Sequence, residues 1–241
     1  MTIGTHNLIG KPAAFAYTAL LLSHSRVQQI HVFKYRSPPP LQQRIAMTAT
    51  EQGIIEHALE LRRAVCLPFW NAVFAACLIR QQHTPALLSA AFFHSGPGSE
   101  TPYQRRDLEN GLLDQVSGDA ARNVGLSSEV RDASGQSSHL GLLDFHCDIS
   151  SRSEAIVNDI CREVMPGGYL ILDSGDSYHA CTLELLTPEQ RVRMLGKTVL
   201  ATPVVDSSYI AHQLQQDASS IRISKGGKTN KKPVVIQAWR P

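Results

Sequence analysis

The sequence predicts an α+β fold in which helices cover one face of a split βαβ sheet. Two observations lead to this fold class. The 241 residues are 43% hydrophobic, which suffices for one globular core. Within residues 139–241, segments with strand and helix patterns follow the order strand, helix, strand, strand, helix, strand, and one further strand comes after them. A split βαβ sheet produces this order.

Helix signals divide residues 139–241 clearly. The first helix can be capped by Ser151 or Ser153, and it ends at Pro166-Gly167-Gly168. The second begins at Thr187, with proline at the first helical position and Gln190 completing a capping box. The predicted strands are His139 to Ile149, Tyr169 to Asp173, Tyr178 to Leu186, Ser220 to Ser224 and Pro233 to Trp239.

The N-terminal half has weaker signals. Residues 1–46 contain a triple proline and no sustained period, so we expect a non-core or disordered segment outside the fold. A helix is predicted from Glu51 to Val65, and two apolar runs, Ala72 to Ile79 and Ala86 to Phe93, predict a β-hairpin. Residues 95–138 predict loops around a helical piece near Arg105 to Gln115. The expected divisions are 1–46, an N-terminal αβ2 unit at 47–138, and a sheet unit at 139–241 that carries the motifs.

Charge and cysteine usage constrain the partners and the compartment. No acidic residue follows Asp217, whereas six basic residues do, although the net charge is only +2. A cationic end favours an anionic ligand, with a solvated tail as the alternative. The five cysteines form no CxxC pair, which excludes a zinc ribbon and favours a reduced, cytoplasmic protein. No apolar run approaches the ~20 residues of a membrane-spanning helix, so no membrane partner is expected.

One strand carries three candidate metal ligands. Asp144, His146 and Asp148 alternate along it and would therefore share one face of the sheet. Such groups are costly to bury without a cation, and carboxylates with one imidazole suit Mg²⁺ or, better, Mn²⁺. The alternative is that Asp148 caps the next helix and that His146 is a hydrogen-bonded core residue.

A tight turn and a later carboxylate add two further candidates. In the turn from Asp173 to His179, Gly175 allows positive φ and successive amides can form an anion nest. Ser177 and His179 point to the same side, and a hydroxyl with an imidazole suits a phosphate chain. Asp206, after two valines, is a metal ligand or a helix cap.

These motifs, in this order, resemble the archaeo-eukaryotic primase superfamily. The resemblance rests on Asp144-Phe145-His146 as its first motif, on Ser174-Gly175-Asp176-Ser177-Tyr178-His179 as its second, on Asp206 as its third, and on downstream basic residues. It is specific from about residue 139 onward. It implies that residues 139–241 form an RRM-like palm sheet and that residues 47–138 are the N-terminal part of the same catalytic domain.

The resemblance also implies an activity, a nucleotidyltransferase that adds nucleotides to a nucleic-acid 3′-hydroxyl. Nucleoside triphosphates and single-stranded or template-primer nucleic acid would be its partners, and a helicase or other replication protein is a further possibility. The catalytic residues would be Asp144, His146, His179 and Asp206. The metal ligands for Mg²⁺ or Mn²⁺ would be Asp144, His146, Asp148 and Asp206. The nucleotide-binding residues would be Ser177, His179, Arg222, Lys225, Lys228 and Lys231.

The sequence departs from the family pattern at His146, where a second carboxylate is usual. Paired carboxylates bridge two metal ions in the two-metal scheme, and one Asp with a His supplies less negative charge. Three explanations stay open. Asp148 substitutes for the missing carboxylate, His146 binds a softer ion, or the protein has lost catalysis and only binds nucleotide or nucleic acid.

A second family offers a rival interpretation. The stretch Glu163 to Leu172 resembles the late Pro-Gly-Gly strand of class I methyltransferases that use S-adenosylmethionine. Such an enzyme needs a glycine-rich loop after its first strand. The upstream candidate is Gly96-Pro97-Gly98, which proline stiffens. This interpretation leaves His179, Asp206 and Arg222 without a role.

Overall fold

The computed structural model describes residues 5–35, 41, 46–92, 99–118, 123–226 and 230–241. Its eight strands pair in one antiparallel sheet. The strands are β1 Gln29–Tyr35, β2 Ser99–Gln104, β3 Asn123–Arg131, β4 Ser137–Asp144, β5 Tyr169–Asp173, β6 Tyr178–Leu186, β7 Ser220–Arg222 and β8 Val234–Trp239. The α-helices are α1 Ala13–Ser23, α2 Ala49–Val65, α3 Phe69–Arg80, α4 Pro85–Phe92, α5 Arg105–Glu109, α6 Leu112–Ser117, α7 Ser151–Val164, α8 Pro188–Thr198 and α9 Ser207–Gln215.

The strand order is β2-β1-β3-β4-β6-β5-β8, and β7 pairs with β3 outside this path. β4 and β5 are therefore parallel to each other, joined by α7 and separated by β6, which makes a split βαβ unit. The predicted α+β class is confirmed. Thr187 forms the predicted capping box with Gln190. The prediction that Ser151 or Ser153 caps α7 is wrong by one position, since the cap is Ser150, whose hydroxyl accepts from the Ser153 amide.

Helices cover both faces of the sheet. On one face, α7, α8 and α9 bury residues such as Val157, Leu195 and Ile210 against the sheet. The helices α7 and α8 were predicted from the sequence, whereas α9 was not. On the other face α1, α5 and α6 form a second core with the sheet. The prediction of one covered face is therefore too narrow. The second covered face follows from the burial of most of β4 and β5, because strands that are apolar on both sides need cover on both sides.

The segment before residue 36 belongs to the core, so the prediction that residues 1–46 lie outside the fold is wrong for residues 5–35. Tyr17 and Leu21 of α1 are almost completely buried, and β1 lies between β2 and β3. The signal was weak because α1 is apolar all around and shows no helical period. The triple proline lies outside the described residues.

The predicted hairpin at residues 72–93 is also wrong, since both apolar runs lie in helices, α3 and α4. An apolar run of eight residues does not distinguish a strand from a buried helix by its period. Where the sequence predicted one helix followed by a two-stranded hairpin, the structure therefore has a unit of three helices, α2–α4, with its own small core. Residues 99–131, in turn, contain β2 and β3 where loops were expected, together with the predicted helical piece, which is divided into α5 and α6.

Within the part of the chain that the structure describes, no single helix is long and apolar enough to cross a membrane. The pair α2 and α3 passes that test only jointly, with a bend of 116° between them.

Candidate active site

Asp144 lies at the end of β4 between two neighbouring segments. On one side it is the register partner of His179 in β6, and the His179 Nε2 atom is 3.5 Å from Asp144 Oδ1. On the other side the chain after β4 forms an antiparallel bridge between Phe145 and Val205. Because paired residues step in opposite directions in an antiparallel ladder, this bridge sets Asp206 opposite Asp144. Three predicted residues therefore come together.

The electrostatics of this group are dominated by burial and by the repulsion between two carboxylates. Burial and then the charge of Asp206 raise the pKa of Asp144 to about 7, although its side chain is 44% exposed at the mouth of the site. Burial and the charge of Arg222 lower the pKa of His179 to about 3, so its imidazole is neutral at physiological pH. Its buried Nδ1 has no hydrogen-bond partner among the described residues.

Arg222, at the end of β7, is held rigidly next to these groups. Its guanidinium donates to the carbonyl oxygens of Ser174 at 2.7 Å, Ser224 at 2.9 Å and Lys231 at 2.9 Å. Carbonyl oxygens orient the guanidinium without neutralising its charge. The cation therefore acts on both Asp144 and His179, lowering the pKa of each.

The turn between β5 and β6 is closed by its own hydrogen bonds. Gly175, at φ 93°, donates its amide to Asp173, while the Ser174 amide donates to the Ser177 carbonyl. The Ser177 hydroxyl accepts from the Cys147 amide at 3.1 Å and so connects the turn to the segment after β4. These amides are engaged, so the anion nest expected from the sequence is not presented by them. The turn positions His179 and the Arg222 partner Ser174.

Two of the predicted metal ligands do not join Asp144. The ring of His146 lies 3.2 Å, through Nε2, from the carbonyl oxygen of Leu67, and Asp148 is exposed. The alternation expected along residues 144–148 fails because β4 ends at Asp144 and the chain bends away. Asp206 accepts the Ser208 amide at 2.8 Å and so also caps α9. No group of three or more His, Cys, Asp or Glu side chains in the described ranges is arranged to hold a metal ion.

The predicted lysines lie beyond Arg222. Lys225 and Lys231 are exposed on the turn after β7, where Gly226 and Lys231 form a bridge. Lys228 lies outside the described residues. The backbone carbonyl of Lys231 holds Arg222, so this cationic turn borders the site.

Two further residues act on the site and were not predicted. The charge of Asp176, in the Ser-x-His turn, also raises the pKa of Asp144. Tyr35, at the end of β1, interacts electrostatically with Arg222 and Asp144, while burial raises its pKa. Its ring lies close to Gly125, where a Cβ would be 3.4 Å from it. Asp176 stood inside a recognised motif, whereas Tyr35 lies in the segment expected to be outside the fold.

The sheet and these residues define a protein of the primase-polymerase class, and a comparison with known families agrees. A family model described as archaeo-eukaryotic primase 1D-like matches residues 106–235, more than half of the chain. The protein therefore belongs to the archaeo-eukaryotic primase 1D-like family, within the primase-polymerase superfamily. No curated protein and no solved structure matches the chain.

The same findings remove the methyltransferase interpretation. Dinucleotide-type folds are built on a mostly parallel sheet with a glycine-rich loop after the first strand. Every strand pair among the described residues is antiparallel, and the Pro-Gly-Gly stretch leads into β5 of the split βαβ unit.

Proposed function

We propose that this protein is a metal-dependent nucleotidyltransferase that adds nucleotides from nucleoside triphosphates to a nucleic-acid 3′-hydroxyl. The observation that carries the proposal is the setting of Asp144, which has Asp206 on one side, His179 on the other and Arg222 nearby. Opposed carboxylates beside a fixed guanidinium suit a substrate that combines a divalent cation with a polyphosphate.

The carboxylate oxygens of Asp144 and Asp206 are suitable ligands for a divalent metal ion. Burial raises the pKa of Asp144, and repulsion from Asp206 raises it further. A hard cation such as Mg²⁺ or Mn²⁺ relieves that repulsion through oxygen ligands. When bound, such an ion supplies Lewis acidity toward the attacking hydroxyl and the α-phosphate. Asp176 brings a third negative charge close to the pair.

The other residues have separable roles in the proposal. Arg222 offers a preoriented cation to the β- and γ-phosphates, where charge accumulates as pyrophosphate leaves. His179 is neutral, so its imidazole serves as a hydrogen-bond group and keeps Asp144 in place. Lys225 and Lys231, with Lys228, would contact phosphates of the nucleotide or of the nucleic-acid strand, because lysine carries its charge on a long, flexible side chain.

One observation favours a second candidate, a module that binds nucleotide without catalysis. His146 does not join Asp144 and Asp206, so the described residues provide fewer ligands than a two-metal site uses. Binding without incorporation is the behaviour that this candidate predicts.

The test uses the wild type, Asp144→Ala and the matched control Asp148→Ala, which removes an exposed carboxylate four residues away. We expect the wild type to incorporate labelled nucleotide with Mn²⁺ or Mg²⁺. Asp144→Ala should lose incorporation by about 10³-fold, the scale on which an essential electrostatic group acts, and Asp148→Ala should retain it. Triphosphate binding by calorimetry should require the metal. Binding without incorporation by the wild type would select the second candidate, and absence of both would refute the proposal.

A further inference from the structure

We propose that His146 is a positioning residue that fastens the helical unit α2–α4 to the strand carrying Asp144, and that this unit is thereby a wall of the nucleotide site. The inference rests on the proposed function for its consequence, but the attachment itself follows from contacts in the structure.

The first contact is made by the imidazole. His146 Nε2 is 3.2 Å from the carbonyl oxygen of Leu67, in the junction between α2 and α3. A carbonyl oxygen only accepts, so the ring carries its proton on Nε2 in this contact. The same oxygen also accepts from Arg62 Nε at 3.2 Å. The carbonyl oxygen of Leu67 is therefore hydrogen-bonded both to a helix residue, Arg62 of α2, and to His146 in the segment after β4.

The second contact lies next to Asp206, the other carboxylate of the proposed metal site. Asn71, in the first turn of α3, accepts a hydrogen bond through Oδ1 from the Ser207 hydroxyl at 3.0 Å. Ser207 directly follows Asp206. The junction at residues 66–71 is thus hydrogen-bonded next to both carboxylates of the proposed site.

The helical unit needs such attachments because its apolar residues pack mainly on one another. Ile54, Ala72 and Leu87 belong to a core separate from the two cores of the sheet. With little shared apolar surface, specific polar contacts at the junction fix the position of the unit relative to Asp144.

This role explains the departure at His146. A carboxylate at this position has no proton to donate at neutral pH, and its charge would face the Leu67 oxygen. An imidazole can donate there through Nε2. The residue type at position 146 is therefore matched to the junction, and a substitution that restores a second carboxylate should weaken the attachment rather than repair a metal site.

The experiment compares His146→Ala, His146→Asp and His146→Gln, with His57→Ala on α2 as the control. Three quantities are measured: amide hydrogen exchange of residues 66–71, KM and kcat for nucleotide incorporation, and Mn²⁺ affinity by electron paramagnetic resonance. For the Ala and Asp variants we expect faster exchange and a KM raised about three- to tenfold, the range of one hydrogen bond, with Mn²⁺ affinity unchanged. His146→Gln keeps a hydrogen-bond donor, so its amide exchange and its KM should return most of the way to the wild-type values. The control His57→Ala should behave as the wild type.

Two results would overturn the proposal. One is a loss of Mn²⁺ affinity in His146→Ala with exchange at the junction unchanged, and the other is tighter Mn²⁺ binding with retained activity in His146→Asp. Both would make His146 a metal ligand. A wild type without incorporation would refute the proposed function alone, because hydrogen exchange still decides whether His146 holds the junction.

Discussion

Asp144 shows how much of the site depends on a single residue and its neighbours. Its carboxylate faces Asp206 across one strand pairing and the neutral imidazole of His179 across the other. Among the main electrostatic influences on Asp144, Arg222 is the one that favours its negative charge. Such a residue is kept for function rather than for stability, because like charges destabilise the fold in the absence of a cation.

This arrangement predicts a pH dependence of stability in the presence of a chelator. The folded pKa of Asp144 is about 7 against an ordinary value of 3.8, so the folded state binds this proton more tightly than the unfolded state. The associated stability is fully present below about pH 4 and is lost as the pH rises through about 7. Between pH 5 and pH 8, Asp144→Asn should therefore lose less stability than the wild type.

Urea denaturation at the two pH values measures this difference. Asp148→Asn removes an exposed carboxylate from the segment after β4 and should respond to pH as the wild type does. An equal decrease in the wild type and in Asp144→Asn would show that Asp144 ionises normally in the folded protein.

The motif residues could be predicted from sequence because each lies at a well-marked position. Asp144 ends an apolar strand, His179 starts another after a glycine turn, and Arg222 precedes a lysine-rich turn. His146 and Asp148 were misplaced because strand alternation was extended past the end of β4. Tyr35 is brought to the site by the pairing of β1 with β3, a long-range contact for which the sequence contains no local signal.

At the scale of elements, the sheet unit and the helix α2 were predictable, whereas the apolar helices α1, α3 and α4 were not. A serine cap and a Pro-Gly-Gly stop mark the bounds of α7, and a capping box begins α8. The faces of α1, α3 and α4 are not distinguished by period. Burial within the complete fold, rather than local pattern, decides their conformation.

The burial of α1 predicts a large effect of a core truncation in the segment before residue 36. Leu21→Ala removes a side chain with 0% exposure and should cost about 2–5 kcal/mol of unfolding free energy. Phe15→Ala on the same helix, where Phe15 is 44% exposed, should cost much less. Chemical denaturation compares the two. Equal, small effects would mean that α1 does not contribute to the cooperative core.

At the scale of the whole molecule, basic residues concentrate near the site although the chain is almost neutral. Arg222 ends β7, and Lys225 and Lys231 belong to the turn after it, whereas Arg193 and Lys197 belong to a different element, α8. A local cationic surface, rather than net charge, is what a phosphate backbone encounters.

Removing two of these cations should change the salt dependence of binding to single-stranded nucleic acid. Lys225→Ala with Lys231→Ala should lower affinity at low salt and reduce the slope of log K against log salt by about 1.4, since each phosphate contact contributes about 0.7. Arg193→Ala with Lys197→Ala carries the same charge change on α8 and should leave the slope unchanged. Fluorescence anisotropy across a salt series decides this, and equal slopes for both double variants would make the turn a solvated surface.

The bridge between Phe145 and Val205 also limits how this chain can evolve. Side chains alternate across paired strands, so one residue inserted between Val205 and Asp206 would turn Asp206 to the opposite side of the ladder from Asp144. An insertion of the same size in the turn between β3 and β4, near Gly135, would leave the facing carboxylates untouched. Length variation among descendants of this sequence should therefore accumulate at the turn between β3 and β4. The adjacency of Asp144 to Phe145 and of Asp206 to Val205 should be inherited with the two carboxylates themselves.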